Sequence, residues 1–442
     1  MKGKRWLVFL AATSLVAAAC GGDDDGGDSK PTASPEPTAT ETAEPETGDT
    51  ATGDTGEPTA TAEPTGDAPS AGGFDIDAVL AADLANCAAA PTGDALVIGY
   101  AADLSDVGGF ADAPASQAAE HFVNLINCAG GVDGTPVELI IQNIEGDPEV
   151  TARAAQDLVD AGVSAILGPP FADFGQPLLQ ITQGNVPVLF VASTEPSLPD
   201  PAALSFLVAF DDTAQATAAA EFALEQGWTT AVTFSSPGPY FGYVPATFTE
   251  VFEAGGGAVI DDYNFVPIED VDFSTQVNSI ANADQHPDVV YSAMLAFQAA
   301  PLQAQLAAAG VETEILMSDA FEATGGYFTD GTEGFFHTTH AFPEPGSRVV
   351  QLADSFEAAN GEPIENPSFG GLAADSIAVI IDAYLRTGSS DPAVLGAAIL
   401  DASGVEGVTG VLSYNGSAAP TKPVYIHEVV DGQPSLAAVV EP

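Results

Sequence analysis

From Leu96 onward, short apolar runs alternate with longer amphipathic, alanine-rich stretches, and this alternation restricts the chain more than any other feature. Residues 96–104 (LVIGYAADL), 136–144, 165–168 and 186–192 read as strands, with helices over 111–128, 149–161 and 174–183 between them. Asp147 before Pro148 is an N-cap followed by proline at the first helical position, and Gly162 stops that helix. Near-continuous apolar strands in β-α-β-α order predict a parallel sheet covered by helices on both faces. The alternation restarts after Phe210. Helices over 213–226, 239–254, 273–283 and 298–309 separate strands over 231–235, 258–265, 288–295 and 314–317, and 334–342 adds one more strand. Helices at 347–359, 369–386 and 392–400 follow, and the strand-like segments 410–414 and 424–430 form a terminal hairpin-like pair. The fold class is α/β: two Rossmann-like lobes with helix-flanked parallel sheets and a ligand cleft between them. Ligands in such sheets bind at the carboxyl ends of the strands.

The first 20 residues read as a targeting segment. Lys2, Lys4 and Arg5 precede an apolar run, 6–19, that is too short to span a bilayer as a helix. Ala17, Ala18 and Ala19 then lead to Cys20, which resembles the lipobox of bacterial lipoproteins; Ala17 stands where such boxes usually carry leucine. The alternative is a plain secretory signal. Residues 21–73 are rich in Gly, Asp, Thr, Pro and Glu and hold almost nothing apolar larger than alanine, so they read as a disordered tether. The Thr-Pro content also resembles O-glycosylated stalks, although a plain solvated linker is the simpler reading. With Cys20 as anchor, Cys87 and Cys128 remain. In an exported protein the pair reads as a disulfide worth roughly 4 kcal/mol that staples the extension 74–95 to the first lobe. Two free buried thiols are the competing reading.

The formal net charge is −55, and beyond residue 73 the only Lys and Arg are Arg153, Arg348, Arg386 and Lys422. Nucleic acid and anionic membrane surfaces are therefore excluded as partners of the folded part. Such a surface also fits adaptation to high salt, where screening relieves self-repulsion.

Several segments together resemble the type I periplasmic binding proteins, specifically the branched-chain amino acid (Leu/Ile/Val) binding family. They are Ile98-Gly99 with Asp103-Leu104-Ser105, 127–134 (NCAGGVDG), Glu145-Gly146-Asp147-Pro148, 165–169 (AILGP), 187–196 (PVLFVASTEP), Asp272-Phe273 and 407–410 (GVTG). Their order and spacing run from about Leu96 to the end of the chain. The resemblance implies lobe 1 over 96–210 and 343–408, lobe 2 over 211–342 and 409–442, and a hinge of three crossings near Asp211, Phe342 and Thr409. It also implies a monomeric, lipid-anchored subunit of an ABC importer outside the cytoplasmic membrane. That subunit would take up a branched-chain amino acid or a related small polar nitrogen compound and pass it to a permease.

Site residues follow from the same resemblance. The turn after Gly168 would offer the Ala172 backbone N–H to a ligand carboxylate; the family usually has a serine there, and Asp173 beside it would repel an anion. Ala192, Ser193 and Thr194 match further carboxylate and ammonium contacts, against an ST-turn that satisfies only its own backbone. Asp319 matches the acidic residue that pairs with the ligand ammonium, against an N-cap for a helix from Phe321. Phe110, Tyr240, Phe241 and Leu295 fall near wall positions, against simple core packing. No cofactor or metal is expected: His337 and His340 point to opposite faces of a strand, and no zinc pattern, nucleophile elbow, P-loop or dinucleotide fingerprint is present. A hydrolase is thus a poor third reading. A ligand-sensing protein of the same fold, serving a receptor or kinase, is the nearer rival, and a purely structural surface lipoprotein is another.

Overall fold

The strands form where β-branched and aliphatic residues run together without polar interruption. In the computed structural model, residues 74–441 are described; the expected signal segment 1–20, its anchor Cys20 and the tether 21–73 lie outside the described residues. A short helix α1 (Ile76–Leu80) precedes β1 (Leu96–Ala102). Then come α2 (Gly109–Cys128), β2 (Val137–Asn143), α3 (Pro148–Asp160), β3 (Ala165–Gly168), α4 (Ala172–Thr182), β4 (Val188–Phe190) and β5 (Ser205–Leu207). These strands make a wholly parallel sheet in the order β2-β1-β3-β4-β5. The Asp147 carboxylate caps α3 by accepting from the Glu149 and Val150 N–H groups at 2.8 and 3.0 Å, as the Asp-Pro signal predicts. β5 was not expected from sequence, since three residues are too few to display a period.

The second sheet has seven strands. Its elements are α5 (Asp212–Glu225), β6 (Thr230–Ser235), α6 (Tyr243–Ala254), β7 (Ala258–Asn264), α7 (Ser274–Ala281), β8 (Val289–Ser292), α8 (Ala296–Ala308), β9 (Glu314–Met317), the short α9 (Ala320–Ala323) and β10 (Phe336–Thr339). The chain then returns to the first lobe with α10 (Arg348–Asn360), α11 (Pro367–Thr387) and α12 (Pro392–Leu400). α11 is the central helix of that lobe, buried along most of its length against α2. A small hairpin, β11 (Val405–Glu406) and β12 (Val411–Leu412), precedes β13 (Val424–Val430) and β14 (Gln433–Val440).

The terminal strands differ from expectation. The segment at 410–414 does not pair with 424–430: β12 pairs with β11, while β13 pairs antiparallel with both β10 and β14, closing the second sheet in the order β14-β13-β10-β9-β8-β6-β7. Asp431, at φ 53°, and Gly432, at φ 69°, make the tight turn that permits the β13–β14 hairpin. The third crossing is displaced as well. Leu412, Tyr414 and Ala418 sit in the first lobe's core, and the Tyr414 hydroxyl donates to the Leu207 carbonyl at 2.7 Å. The chain therefore leaves the first lobe after Ala418 and not at Thr409. Cys87 and Cys128 are joined as a disulfide, and Ile76, Val79 and Leu80 of α1 pack into the same core.

Candidate ligand-binding site

The loops facing the space between the lobes leave the carboxyl ends of parallel strands, as the topology of such sheets requires. From the first lobe these are 103–108 after β1, 169–171 after β3 and 191–195 after β4; from the second, 236–242 after β6, 293–295 after β8 and 318–319 after β9. They enclose a cavity of about 360 Å3, a size suited to a small molecule. The expected helix over 239–254 starts only at Tyr243, so 237–242 is a loop that lines the cavity. Gly242 is needed there, because a Cβ would lie 2.8 Å from the Ser236 carbonyl and 2.9 Å from that of Gly238.

Eight of the nine expected contacts line this one cavity: Phe110, Ala192, Ser193, Thr194, Tyr240, Phe241, Leu295 and Asp319. Ala172 does not, although its neighbours Phe171 and Asp173 do. The walls are aromatic on both sides. Phe110 and Phe171 lie 6.1 Å apart in the first lobe, and Tyr240 meets Phe241 edge-on at 5.3 Å in the second.

The polar groups form one connected network. The Asp319 carboxylate, 4% exposed, accepts from the Tyr240 hydroxyl at 2.5 Å and lies 3.1 Å from His340 Nε2. It does not cap α9. Burial alone would push this carboxyl up, but the bonds from His340, Tyr240 and Gln215 hold it below the ordinary aspartate value, while burial lowers His340 itself. His340 is fully buried and stacks on Phe210 at 4.1 Å. The Thr194 hydroxyl donates to Asp212 Oδ1 at 2.6 Å, and Gln215 Nε2 donates to the same oxygen at 2.8 Å. Gln215 Oε1 in turn accepts from the Asp319 N–H at 3.3 Å and the Thr338 hydroxyl at 3.0 Å. Burial pushes the Asp212 carboxyl well up; the Thr194 and Gln215 bonds oppose this, and the negative charges of Asp319 and Glu195 add to it.

Glu195 completes the picture. It lines the cavity at 4% exposure, and its Oε2 has no hydrogen-bond partner. The backbone N–H of Ala172, the first residue of α4, lies near this carboxylate and favours its charged form. Burial, together with the neighbouring charge of Asp173, raises the Glu195 carboxyl to about 7 despite the nearby Ala172 N–H. Of the donors expected for a ligand carboxylate, the Thr194 hydroxyl is thus bound to the protein's own Asp212. Ala172 itself stands behind the lining, with its N–H near Glu195.

Sequence reasoning missed Glu195, Asp212, Gln215 and His340. Glu195 stood directly after Thr194 in a quoted motif, so a search for acids beside the ligand turn would have found it. Asp212 was hidden behind Asp211, which takes the N-cap of α5 by accepting from Ala214 N–H at 2.8 Å and leaves Asp212 turned inward. For Gln215 and His340 no local signal exists.

A family model described as periplasmic binding protein matches residues 95–434. Leu/Ile/Val-binding protein homolog 3 of Brucella melitensis is 26% identical over 331 residues, covering 72% of this chain and 87% of the relative. Among solved structures, the substrate-binding protein LivJ of Streptococcus pneumoniae, in complex with isoleucine, superposes with a TM-score of 0.68 at 20% identity, covering 79% of this chain and 100% of that one. A solute-binding protein of R. palustris in complex with benzoate gives a TM-score of 0.65 at 20% identity, covering 79% and 97%. These likenesses show the fold of two helix-flanked parallel sheets. The family match spans most of the chain, and with it this protein belongs to the periplasmic binding protein family, extracytoplasmic solute-binding proteins of type I fold that are not enzymes.

Proposed function

We propose that the chain is the solute-binding subunit of an ABC importer, capturing an amino acid or a related small polar nitrogen compound between its lobes and delivering it to a permease. The observation behind this reading is the cavity itself, in which aromatic walls from both lobes surround the buried Glu195 carboxylate, whose Oε2 has unused acceptor capacity. A protonated nitrogen satisfies such acceptors with charge-assisted hydrogen bonds. The solute named for the Brucella relative and the isoleucine in the Streptococcus structure support a nitrogen compound. The benzoate in the R. palustris protein shows that the fold alone does not choose the ligand. Closure would turn on the three interlobe crossings, and acylation of Cys20 would hold the subunit beside its permease.

A thermal-shift screen of the purified chain against amino acids, amides, urea and polyamines, in low and high salt, tests the reading. A true solute at 1,000 times its Kd stabilises by about 4 kcal/mol, which raises the midpoint by several degrees at about 2–4 °C per kcal/mol. Asp319→Ala should abolish the response. If no solute shifts the midpoint after bound ligand has been stripped by unfolding and refolding, the proposal fails.

A further inference from the structure

An amino acid has two charged ends, and each needs its own complement. In this cavity a charged complement for a carboxylate is absent. At the start of α4, where an anion would gain from the backbone donors and helix dipole, the Glu195 carboxylate already lies near the Ala172 N–H. The Thr194 hydroxyl is engaged by Asp212 at 2.6 Å. No Lys or Arg lines the cavity. Arg348 binds Asp77 and Glu406, Arg386 binds Asp382, and Lys422 is buried beside Asp375. A ligand carboxylate would instead meet the side chains of Asp173, Glu195 and Asp319.

The complement for a cation is present. Glu195 Oε2 and Ser193 Oγ are buried, at 4% and 1% residue exposure, and both lack a partner. Such groups are nearly always satisfied in folded proteins, and the N–H donors of an ammonium would satisfy them. Around them stand the rings of Phe110, Phe171, Tyr240 and Phe241, whose faces attract cations.

We infer that the solute is a protonated organic amine that carries no carboxylate. The inference rests on the solute-binding reading of this cavity and narrows its ligand class. Glu195 receives the ammonium, the aromatic rings hold its hydrocarbon part, and the Thr194 hydroxyl stays bound to Asp212. Of the groups around Glu195, Asp173, Asp212 and Asp319 are acidic and only His340, beyond Asp319, is basic. Without a cation, burial keeps Glu195 partly protonated near neutral pH. Amine binding therefore releases protons, and it strengthens as the pH rises from 6 to 8.

The test is calorimetric titration of the full chain, stripped by unfolding and refolding, with matched probes that differ only in the carboxylate. The pairs are isopentylamine against leucine and phenethylamine against phenylalanine, with benzoate as the anion. The expected result is that an amine binds at least about tenfold more tightly than its amino acid and that its binding heat varies with the buffer's ionisation enthalpy. Glu195→Gln should weaken the amine about ten- to a hundredfold, the value of one charge-assisted bond, and remove the pH dependence. Leucine or benzoate binding while the amines stay silent would overturn this inference and leave the solute-binding reading intact. Silence from every probe here and in the thermal screen would overturn both. Should Glu195→Gln fail to fold, the preference within each pair and its pH dependence in the unaltered chain decide the matter.

Discussion

Glu195 shows how a single residue can serve binding at a cost to the empty fold. Its carboxyl sits at about 7 in the folded chain against roughly 4.3 in an unfolded one. A group raised in this way contributes stability that is full below pH 4 and is lost as the pH rises through 7. Glu322 shares the direction: burial raises it to about 7, against the bonds from Thr339 and from Ser368 across the lobes. Glu195→Gln removes the buried charge, so the unliganded variant should be more stable than the parent at pH 8, on the order of 3 kcal/mol. It should show no such gain at pH 4.5. Urea midpoints at the two pH values check this, and an equal effect at both would mean that Glu195 stays ionised. The histidines work the other way. Burial lowers His337 to about 4, and both His337 and His427 bond the Tyr327 hydroxyl at 2.7 Å, so their contribution is lost as the pH falls below about 6.5.

At the scale of elements, the GVTG segment is a fastening point. Asp375, in the middle of α11, accepts from the backbone N–H groups of Val408 and Thr409 and from the Thr409 hydroxyl. Lys422 donates to that hydroxyl at 2.6 Å, and its Nζ lies 3.9 Å from Asp375. All of this is fully buried or nearly so, at the stretch where the chain passes into the second lobe. Lys422→Met leaves a buried carboxylate without its cation and should cost about 3–5 kcal/mol; pairing it with Asp375→Leu should recover part of that loss. Equilibrium unfolding of the two single variants and the double variant reads this directly. The Cys87–Cys128 bridge closes 41 residues of chain, so Cys87→Ser with Cys128→Ser should lower stability by about 4 kcal/mol on the loop-entropy account, with the α1 extension freed first in hydrogen exchange.

For the whole molecule the governing quantity is charge. The chain carries 63 acidic residues against 8 basic ones, and three of the four basic side chains of the folded part are already paired. Self-repulsion is therefore spread over the surface, where salt screens it over about 8–10 Å at physiological strength. The unfolding midpoint should climb steadily from low salt to molar potassium chloride. A flat response would mean that surface repulsion contributes little to the balance.

Much of this was legible in the chain. Alternating apolar runs and alanine-rich stretches determined the α/β class and the parallel sheets, because strands buried on both faces must be apolar throughout. Local capping chemistry at Asp147-Pro148 set the start of α3, and the turn motifs brought most of the candidate contacts to one cavity. Short elements such as β5 escaped, since a three-residue strand exists only through its neighbours. The pairing of β13 with β14 and the late crossing after Ala418 depended on which apolar side chains the first lobe had room to bury. The direction of the site's chemistry was also a tertiary matter. Thr194, Glu195 and Asp212 are separate letters in the sequence, and only folding aimed the Thr194 hydroxyl at the internal Asp212 carboxylate and left Glu195 Oε2 open to the cavity.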